Sequence, residues 1–391
     1  MYVCVAGKNN IAVDVLIYLI ENNNDRYELC VICNDSRTEI VGFQKSLSQC
    51  AKEHGIPIVS LSDVYEYEDL IFLSMEFDKI IRPDKFTDAR LFNIHFSLLP
   101  AYKGMYTSAI PILNGERYTG VTFHRIDAGI DTGDIIDQKK IKISDDDTCR
   151  DLYIKYLQEG AKLVLENIEI VLRKEEKSKI QPAYGASYYP VGYINYENLK
   201  INFRDVAISV NRQIRAYSFR EYQLPSFNNT KIISSKITDE KSVAKPGSVL
   251  FEDEICFVIS TIDYNIILYK DRFDELLLDC EKGIYKGVEE ICQVKEHINT
   301  CNRVGWTPLI VATYNNQYEI AEYLIDKGAN VFISNYHGTN LLMYAKEVFK
   351  RYGDRNLFDL YISKGLDVNK KDDYGNSLLD YIEIERIEGL L

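Results

Sequence analysis

The chain has 391 residues, 46% apolar and 27% charged, with a formal net charge of −13. That length exceeds one compact core and predicts two or three domains of a globular protein. The acidic balance argues against a nucleic-acid face, no apolar run is long enough to span a bilayer, and the opening MYVCVAGKNN lacks the regions of a signal peptide, so a cytoplasmic protein is expected. The nine cysteines are scattered and do not form a disulfide framework.

In chain order, YVCVAG (2–7) reads as a short buried strand and NIAVDVLIYLIEN (10–22) as a helix. YELCVIC (27–33) returns as a strand, EIVGFQKSLSQCAKEHG (39–55) as an amphipathic helix and IPIVSL (56–61) as a closing strand. This alternation predicts an α/β, Rossmann-like layer with a parallel sheet covered on both faces and right-handed crossovers. After Gly7 the chain runs KNNIAVD, without the later glycines of G-x-G-x-x-G, so no nicotinamide or flavin site is expected. Cys30 and Cys33 have C-x-x-C spacing, but no second pair or histidine follows at zinc-finger distance. Residues three apart on a strand point to opposite faces, and two small buried residues is the better reading.

DLIFLS (69–74), RLFNIHF (90–96) and TGVTFHRID (119–127) are further strands, and DTCRDLYIKYLQEGAKLVLENIEIVLRK (147–174) is a long amphipathic helix. After SKIQPAYGASYYPVGY (178–193) the pattern changes. NFRDVAISVNRQIRAY (202–217) reads as a helix and GSVLFEDEICFVISTIDYNIILYK (247–270) as an antiparallel hairpin or meander, together a small α+β segment. The last third repeats: GWTPLIVA (305–312), GTNLLMYA (338–345) and GNSLLDYI (375–382) share a leading glycine and a leucine at the fifth position. Gly305 to Gly338 is 33 residues, the ankyrin period, and Gly338 to Gly375 is 37, as a four-residue insertion near FKRYGDRN would give. Residues 270–391 therefore read as a short all-α ankyrin array with degenerate ends.

FNIHFSLLPAYKG (92–104) puts Asn93 and His95 two apart on one side of a strand end, where burying polar groups is costly. GVTFHRIDAGIDTGDII (120–136) ends in a glycine-containing acidic loop whose Asp131 lies 36 residues after His95. Adjacent strands would bring that loop beside the N-x-H segment. The three side chains suit acyl transfer: an amide donor for a developing oxyanion, an imidazole to take a proton, a carboxylate to orient it. His124 reads as a satisfied polar group of the strand.

NIHFSLLPAYKG together with GVTFHRIDAGIDTGDI resembles the formyltransferases that use N10-formyltetrahydrofolate. That family includes methionyl-tRNA formyltransferase, glycinamide ribonucleotide transformylase and the sugar-nucleotide N-formyltransferases. The likeness covers about residues 1–180, and NFRDVAISVNRQIRAYS resembles the segment that follows in the sugar and tRNA branches. It implies that Asn93, His95 and Asp131 are the catalytic set and that no metal is required. It places the folate pterin between EFDKIIRP (76–83) and DAGID (127–131), with Phe77, Ile80, Asp127 and Gly129 as cofactor-binding candidates and Lys79 and Tyr106 as substrate-binding ones. The expected layout is a formyltransferase domain at 1–180, a central sugar-nucleotide segment at 181–269 whose apolar residues would supply a homodimer contact, and ankyrin repeats at 270–391.

Charge disfavours the tRNA branch, and the repeats resemble the layout of bacterial enzymes that formylate dTDP-3-amino-3,6-dideoxyhexoses, dTDP-Qui3N or dTDP-Fuc3N, for O-antigen and lipopolysaccharide synthesis. A dTDP-4-amino-4,6-dideoxyglucose N-formyltransferase, a methionyl-tRNA formyltransferase-like enzyme and an ankyrin adaptor that has lost catalysis are the alternatives. Arg204, Arg212, Arg215 and Arg220 fall within seventeen residues. Arg212 and Arg215, three apart on the predicted helix, would hold a pyrophosphate by charge-assisted hydrogen bonds; a solvated face balancing nearby acids is the other reading. Tyr217 and Tyr222 are candidates to flank the thymine. Trp306, the single tryptophan, sits at a turn that repeats use for partners. A structural cap, a protein contact and a second nucleotide site all stand open for it.

Overall fold

The computed structural model describes residues 1–34 and 42–390. They form two compact units, Met1–Ser226 with Thr261–Tyr264, and Phe227–Ser260 with Asn265–Leu391. The first unit runs β1 (Tyr2–Gly7), α1 (Asn9–Glu21), β2 (Glu28–Cys33), α2 (Leu47–Glu53), β3 (Leu70–Met75) and β4 (Ala89–His95). It continues with β5 (Lys103–Gly104), α3 (Ile110–Leu113), β6 (Tyr118–Arg125), β7 (Ile135–Lys142), α4 (Cys149–Leu172), β8 (Tyr188–Tyr189) and α5 (Ala207–Tyr217). One six-stranded sheet has the order β2-β1-β3-β4-β6-β7.

The first four strands are parallel, as the strand–helix alternation predicts. From β4 onward the chain turns back after the S-L-L-P segment and the single helical turn α3. With no full helix to cross over, β6 pairs antiparallel with β4, and β7 with β6. Two expectations need correction. IPIVSL contributes only an isolated parallel bridge, Val31 to Ile58, because Ile58 turns to solvent and is 43% exposed. The helix expected over 39–55 is short, Leu47–Glu53 with Ser46 as its cap, and residues 39–41 lie outside the described residues.

Helix α4 packs on the sheet and determines how β4 is held. Thr148 and Asp151 form a reciprocal capping box at its start, which satisfies N–H groups that would otherwise lack partners. Its inner face buries Leu152, Tyr156, Leu157, Ala161, Val164 and Ile168, of which each Leu, Val and Ile side chain contributes roughly 1.5–3 kcal/mol. At Gly160 a Cβ would press on Ile11, Ile94 and Phe96, so the glycine lets the helix approach the strand that carries the site. Phe96 stacks on Tyr156 at 5.2 Å.

Further along, β9 (Ser226–Phe227), β10 (Thr230–Lys241), β11 (Val249–Glu252), β12 (Cys256–Ile259) and β13 (Tyr264–Lys270) make a sheet of order β11-β12-β13-β10-β9. The expected meander is β11-β12-β13. The helices follow as α6 (Phe273–Lys282), α7 (Tyr285–Ile291), α8 (Pro308–Tyr314), α9 (Tyr318–Asp326), α10 (Leu341–Tyr352), α11 (Asn356–Ser363) and α12 (Leu378–Glu385). The three repeated glycines, Gly305, Gly338 and Gly375, have φ of 83°, 76° and 79°, a conformation that favours glycine. Three residues before each, Asn302, Asn335 and Asp372 accept two backbone N–H groups through Oδ1. Two residues after each, Thr307, Asn340 and Ser377 cap a helix. The repeat is therefore built on an Asx turn and an N-cap at fixed offsets, which persist while the capping residue changes from Thr to Asn to Ser. The wider second spacing is absorbed by α10, longer than α8. Among the described residues no helix is long and apolar enough to cross a membrane.

Candidate active site

Asn93 and His95 stand on the same face of β4, two residues apart, and β6 runs beside them with Asn93 opposite His124 and His95 opposite Thr122. The strand end is fixed by a polar lattice around the S-L-L-P turn. Thr122 Oγ1 donates to the Ser97 carbonyl at 2.6 Å and accepts the Leu99 N–H at 3.1 Å. The Gln138 amide donates to the Leu99 carbonyl and to Thr122 Oγ1. The Leu99–Pro100 peptide is cis.

This turn delivers the Tyr102 carbonyl to within 2.8 Å of His95 Nε2. A carbonyl only accepts, so Nε2 carries hydrogen and the neutral ring keeps its lone pair on Nδ1. Nδ1 faces Asp131 Oδ2 at 3.5 Å. A proton gained at Nδ1 would thus point at a carboxylate. His95 is 7% exposed.

Asp131 is held by two hydrogen-bond donors in a particular backbone conformation. Its φ is 52°, in the left-handed region that Asp tolerates better than most residues. The Gly104 N–H donates to Oδ2 at 2.9 Å, and the Gln181 amide donates to the carbonyls of Asp131 and Gly133 at 2.9 and 2.7 Å. Asp127 organises the same loop by accepting the Gly129 N–H and the Thr132 hydroxyl. A Cβ at Gly133 would overlap the Arg125 carbonyl, so the loop can return beside β6 only with glycine there.

Beside this group lies His124, 2% exposed, whose Nδ1 is 2.7 Å from the Arg125 carbonyl and whose Nε2 is 3.1 Å from Asn93 Nδ2. Its Nε2 is 3.8 Å from Asp131 Oδ1. Burial, then the neighbouring His95 charge, push its pKa down to about 4, against the pull of Asp131.

The structure brings Asp131, 36 residues further along the chain, beside Asn93 and His95. Of the cofactor candidates, Asp127 and Gly129 form the loop that carries Asp131, Phe77 packs edge-on against Phe72 at 6.3 Å, and Ile80 is 74% exposed. Lys79 is exposed. Tyr106 accepts the Gly192 N–H at 2.8 Å and lies against Tyr196. Arg215 is bound within the unit, donating to the Asp147 carbonyl at 2.8 Å and to Asn211 Oδ1. Arg212 lies over Gly115. Tyr217 packs on the main core. Tyr222 accepts from Gln44 at 3.3 Å. In the second unit, half-buried Trp306 packs on Tyr314 and Tyr344 at 5.2 and 5.4 Å.

Sequence reading missed a polar cluster at the ends of β1 and β3. Asn9 donates to Glu76 and to the Tyr153 hydroxyl, which donates to Glu76 Oε2 at 2.7 Å. Gln44 reaches the same Tyr153 hydroxyl. Burial raises the Glu76 carboxyl above the usual carboxylate range, opposed by Lys8 and by the hydrogen bonds from Tyr153 and Asn9. The C-terminal ends of parallel strands are where open α/β sheets take ligands. The one available signal was polar Asn9 and Glu76 directly following buried strands.

Comparison with known proteins places these elements. The formyl transferase family model matches residues 68–168, which include β3, β4, β6 and the Asp131 loop, and an ankyrin model of three copies matches residues 276–372. Methionyl-tRNA formyltransferase of Coxiella burnetii is 29% identical over 265 residues, 64% of this chain and 83% of that protein. WlaRD, described as a sugar 3N-formyl transferase and solved in the presence of dTDP and 5-N-formyl-THF, is 44% identical with a TM-score of 0.64, covering 70% of this chain and 98% of that one. The N-formyltransferase from Helicobacter canadensis, solved with folinic acid and dTDP-3-aminofucose, is also 44% identical with a TM-score of 0.64, covering 69% of this chain and 100% of that one. With that identity over the full length of both solved enzymes, the chain belongs to the sugar N-formyltransferases of the folate-dependent formyl transferase family, and carries ankyrin repeats besides.

Proposed function

We propose that the protein transfers the formyl group of N10-formyltetrahydrofolate to the 3-amino group of a dTDP-linked 3-amino-3,6-dideoxyhexose, in the bacterial cytoplasm and for O-antigen synthesis. The observation that carries the chemistry is the His95–Asp131 pair, Nδ1 to Oδ2 at 3.5 Å, with Asn93 on the same face of β4. The 3-amino position is supported by likeness to two enzymes whose descriptions name a 3N transfer and a 3-aminofucose ligand.

In this reading the uncharged sugar amine attacks the formyl carbon, a C–N bond forms, and the carbonyl oxygen becomes an oxyanion. The Asn93 amide donates to that oxygen. The amine proton passes to His95 Nδ1 through water or by way of the Asp131 carboxylate at which that lone pair points, and the resulting imidazolium faces Asp131. Collapse breaks the bond to N10 of the folate, which takes the proton back as it leaves. The folate would lie between residues 76–83 and 127–131, and the sugar nucleotide would reach Lys79, Tyr106, Arg212, Tyr217 and Tyr222. Arg215, already engaged by Asp147 and Asn211, would act mainly by holding its helix.

A homodimer and a second nucleotide site at Trp306 belong to the same proposal. Trp306, Tyr314 and Tyr344 form a half-open aromatic group with the Arg351 guanidinium 4.5 Å over Tyr314, a setting that suits a nucleobase and its phosphates. Titrating dTDP while following the fluorescence of the single tryptophan tests it, and an unchanged signal at saturating ligand rejects it. For the reaction itself, His95→Asn should abolish turnover while sugar-nucleotide binding by calorimetry persists. Near-native turnover in that variant would remove His95 from its role.

A further inference from the structure

We infer that His124 is a positioning residue for formyl transfer: its neutral imidazole, locked as the Nδ1–H tautomer by the Arg125 carbonyl, holds the Asn93 amide so that one N–H is given to Nε2 and the other is turned to the developing oxyanion. The inference rests on the reading of Asn93 as the oxyanion donor.

His124 and Asn93 are direct partners across the antiparallel pair β4–β6, so their side chains meet without any loop to adjust. The Arg125 carbonyl, 2.7 Å from Nδ1, can only accept, which puts the hydrogen on Nδ1. A neutral ring then offers a lone pair at Nε2, and the group 3.1 Å away must be a donor. That selects the NH2 end of Asn93 over its oxygen. The opposite flip would set two lone pairs against each other in a place where His124 is 2% exposed, leaving buried acceptors unpaired.

The two ends of an asparagine amide are nearly the same size and opposite in electrostatic sign. Flipped, Asn93 would present Oδ1 to a forming oxyanion and raise the barrier it is meant to lower. Shape alone does not prevent this, whereas a lone pair fixed on Nε2 does. The ring must also stay uncharged, because an Nε2–H would ask Asn93 for its oxygen. Burial, joined by the His95 charge whenever that ring is protonated, keeps the His124 pKa low, at about 4, while Asp131 Oδ1 at 3.8 Å pulls the other way. The His95 and His124 rings are 6.5 Å apart and nearly perpendicular. Thus two histidines of one site have separate tasks: His95 exchanges a proton and His124 keeps its own.

The experiment compares steady-state formyl transfer by the full chain and by four variants, His124→Phe, His124→Gln, Asn93→Ala, and Asn93→Ala with His124→Phe. His124→Phe should lower kcat about 10- to 100-fold with KM for both substrates within about threefold, a split that marks loss of a transition-state interaction. His124→Gln, whose Oε1 can accept from Asn93 while its NH2 donates to the Arg125 carbonyl, should recover most of that loss. In the Asn93→Ala background His124→Phe should cost less than about threefold, since the two act as one unit. An equal loss in both backgrounds, or an unchanged kcat for His124→Phe, overturns the inference. Near-native turnover by Asn93→Ala alone would instead overturn the oxyanion reading, so the two failures are distinguishable. Long-range 1H–15N correlation on the unmodified protein, with only five histidines and His124→Gln to assign the signal, should find His124 as Nδ1–H between pH 6 and 8. An Nε2–H tautomer rejects the inference whether or not any variant folds.

Discussion

Asp131→Asn isolates the charge of the carboxylate from its shape. The amide is nearly isosteric, accepts the left-handed φ of 52° as readily as aspartate, and can keep the Gly104 N–H bond through Oδ1. Its NH2 would then face His124 Nε2, at present 3.8 Å from Oδ1, as a donor to an acceptor. What disappears is the interaction between a forming imidazolium and an anion 3.5 Å away. At an effective dielectric of about 20 that interaction amounts to about 5 kcal/mol, and at about 40, suited to a site opening to solvent, to roughly half that. At about 1.4 kcal/mol per decade, kcat should fall about 60- to 3,000-fold. The assay is formyl transfer under saturating sugar nucleotide and N10-formyltetrahydrofolate, with melting temperature and sugar-nucleotide affinity as controls. Both controls should stay close to wild type. Turnover within fivefold of wild type in a folded variant would refute the electrostatic role of Asp131.

The remaining expectations concern stability and the loop. Unfolded His124 would titrate near the ordinary 6.5 and folded His124 at about 4, so the unfolded chain binds the extra proton across that window. Stability should therefore fall as pH drops from 6.5 towards 4, by up to about 3 kcal/mol from this residue, and His124→Gln should flatten that part of the profile in urea titrations. Thr148→Ala removes the capping box of α4 and should cost about 1 kcal/mol in chemical denaturation. Gln181→Leu deletes both donors to the Asp131 and Gly133 carbonyls and should lower kcat more than it raises KM; a pure KM effect would show that the loop holds ligand rather than aligning Asp131.

Much of the site was legible because its parts are local. The N-x-H alternation fixes which face of β4 carries both groups, and the glycine-rich acidic loop marks where β6 ends, so a single antiparallel pairing joins them. His124 looked like a satisfied strand histidine, and so it is. Its effect on Asn93 depends on register across the pair, which one strand's sequence does not contain. The Asn9–Glu76–Tyr153 cluster was illegible for a stronger reason: its members are 67 and 77 residues apart, Asn9 and Glu76 meeting where β1 pairs with β3 and Tyr153 arriving on α4, which packs against α1. Strand β10, TKIISSKITDEK, went unread since only Ile232 and Ile233 are buried in it, and β7 likewise shows a largely polar pattern. In the repeats the turn chemistry persisted through Asn302, Asn335 and Asp372, an interchange of Asn and Asp that preserves the acceptor.

The most direct measurement is an assay of purified protein with N10-formyltetrahydrofolate against dTDP-Qui3N, dTDP-Fuc3N, dTDP-4-amino-4,6-dideoxyglucose and methionyl-tRNA, with products identified by mass spectrometry. The account predicts a mono-formylated dTDP-3-amino sugar, formed by the wild-type chain and abolished by His95→Asn. Formylation of the 4-amino sugar or of the tRNA, with neither 3-amino sugar touched, would contradict it.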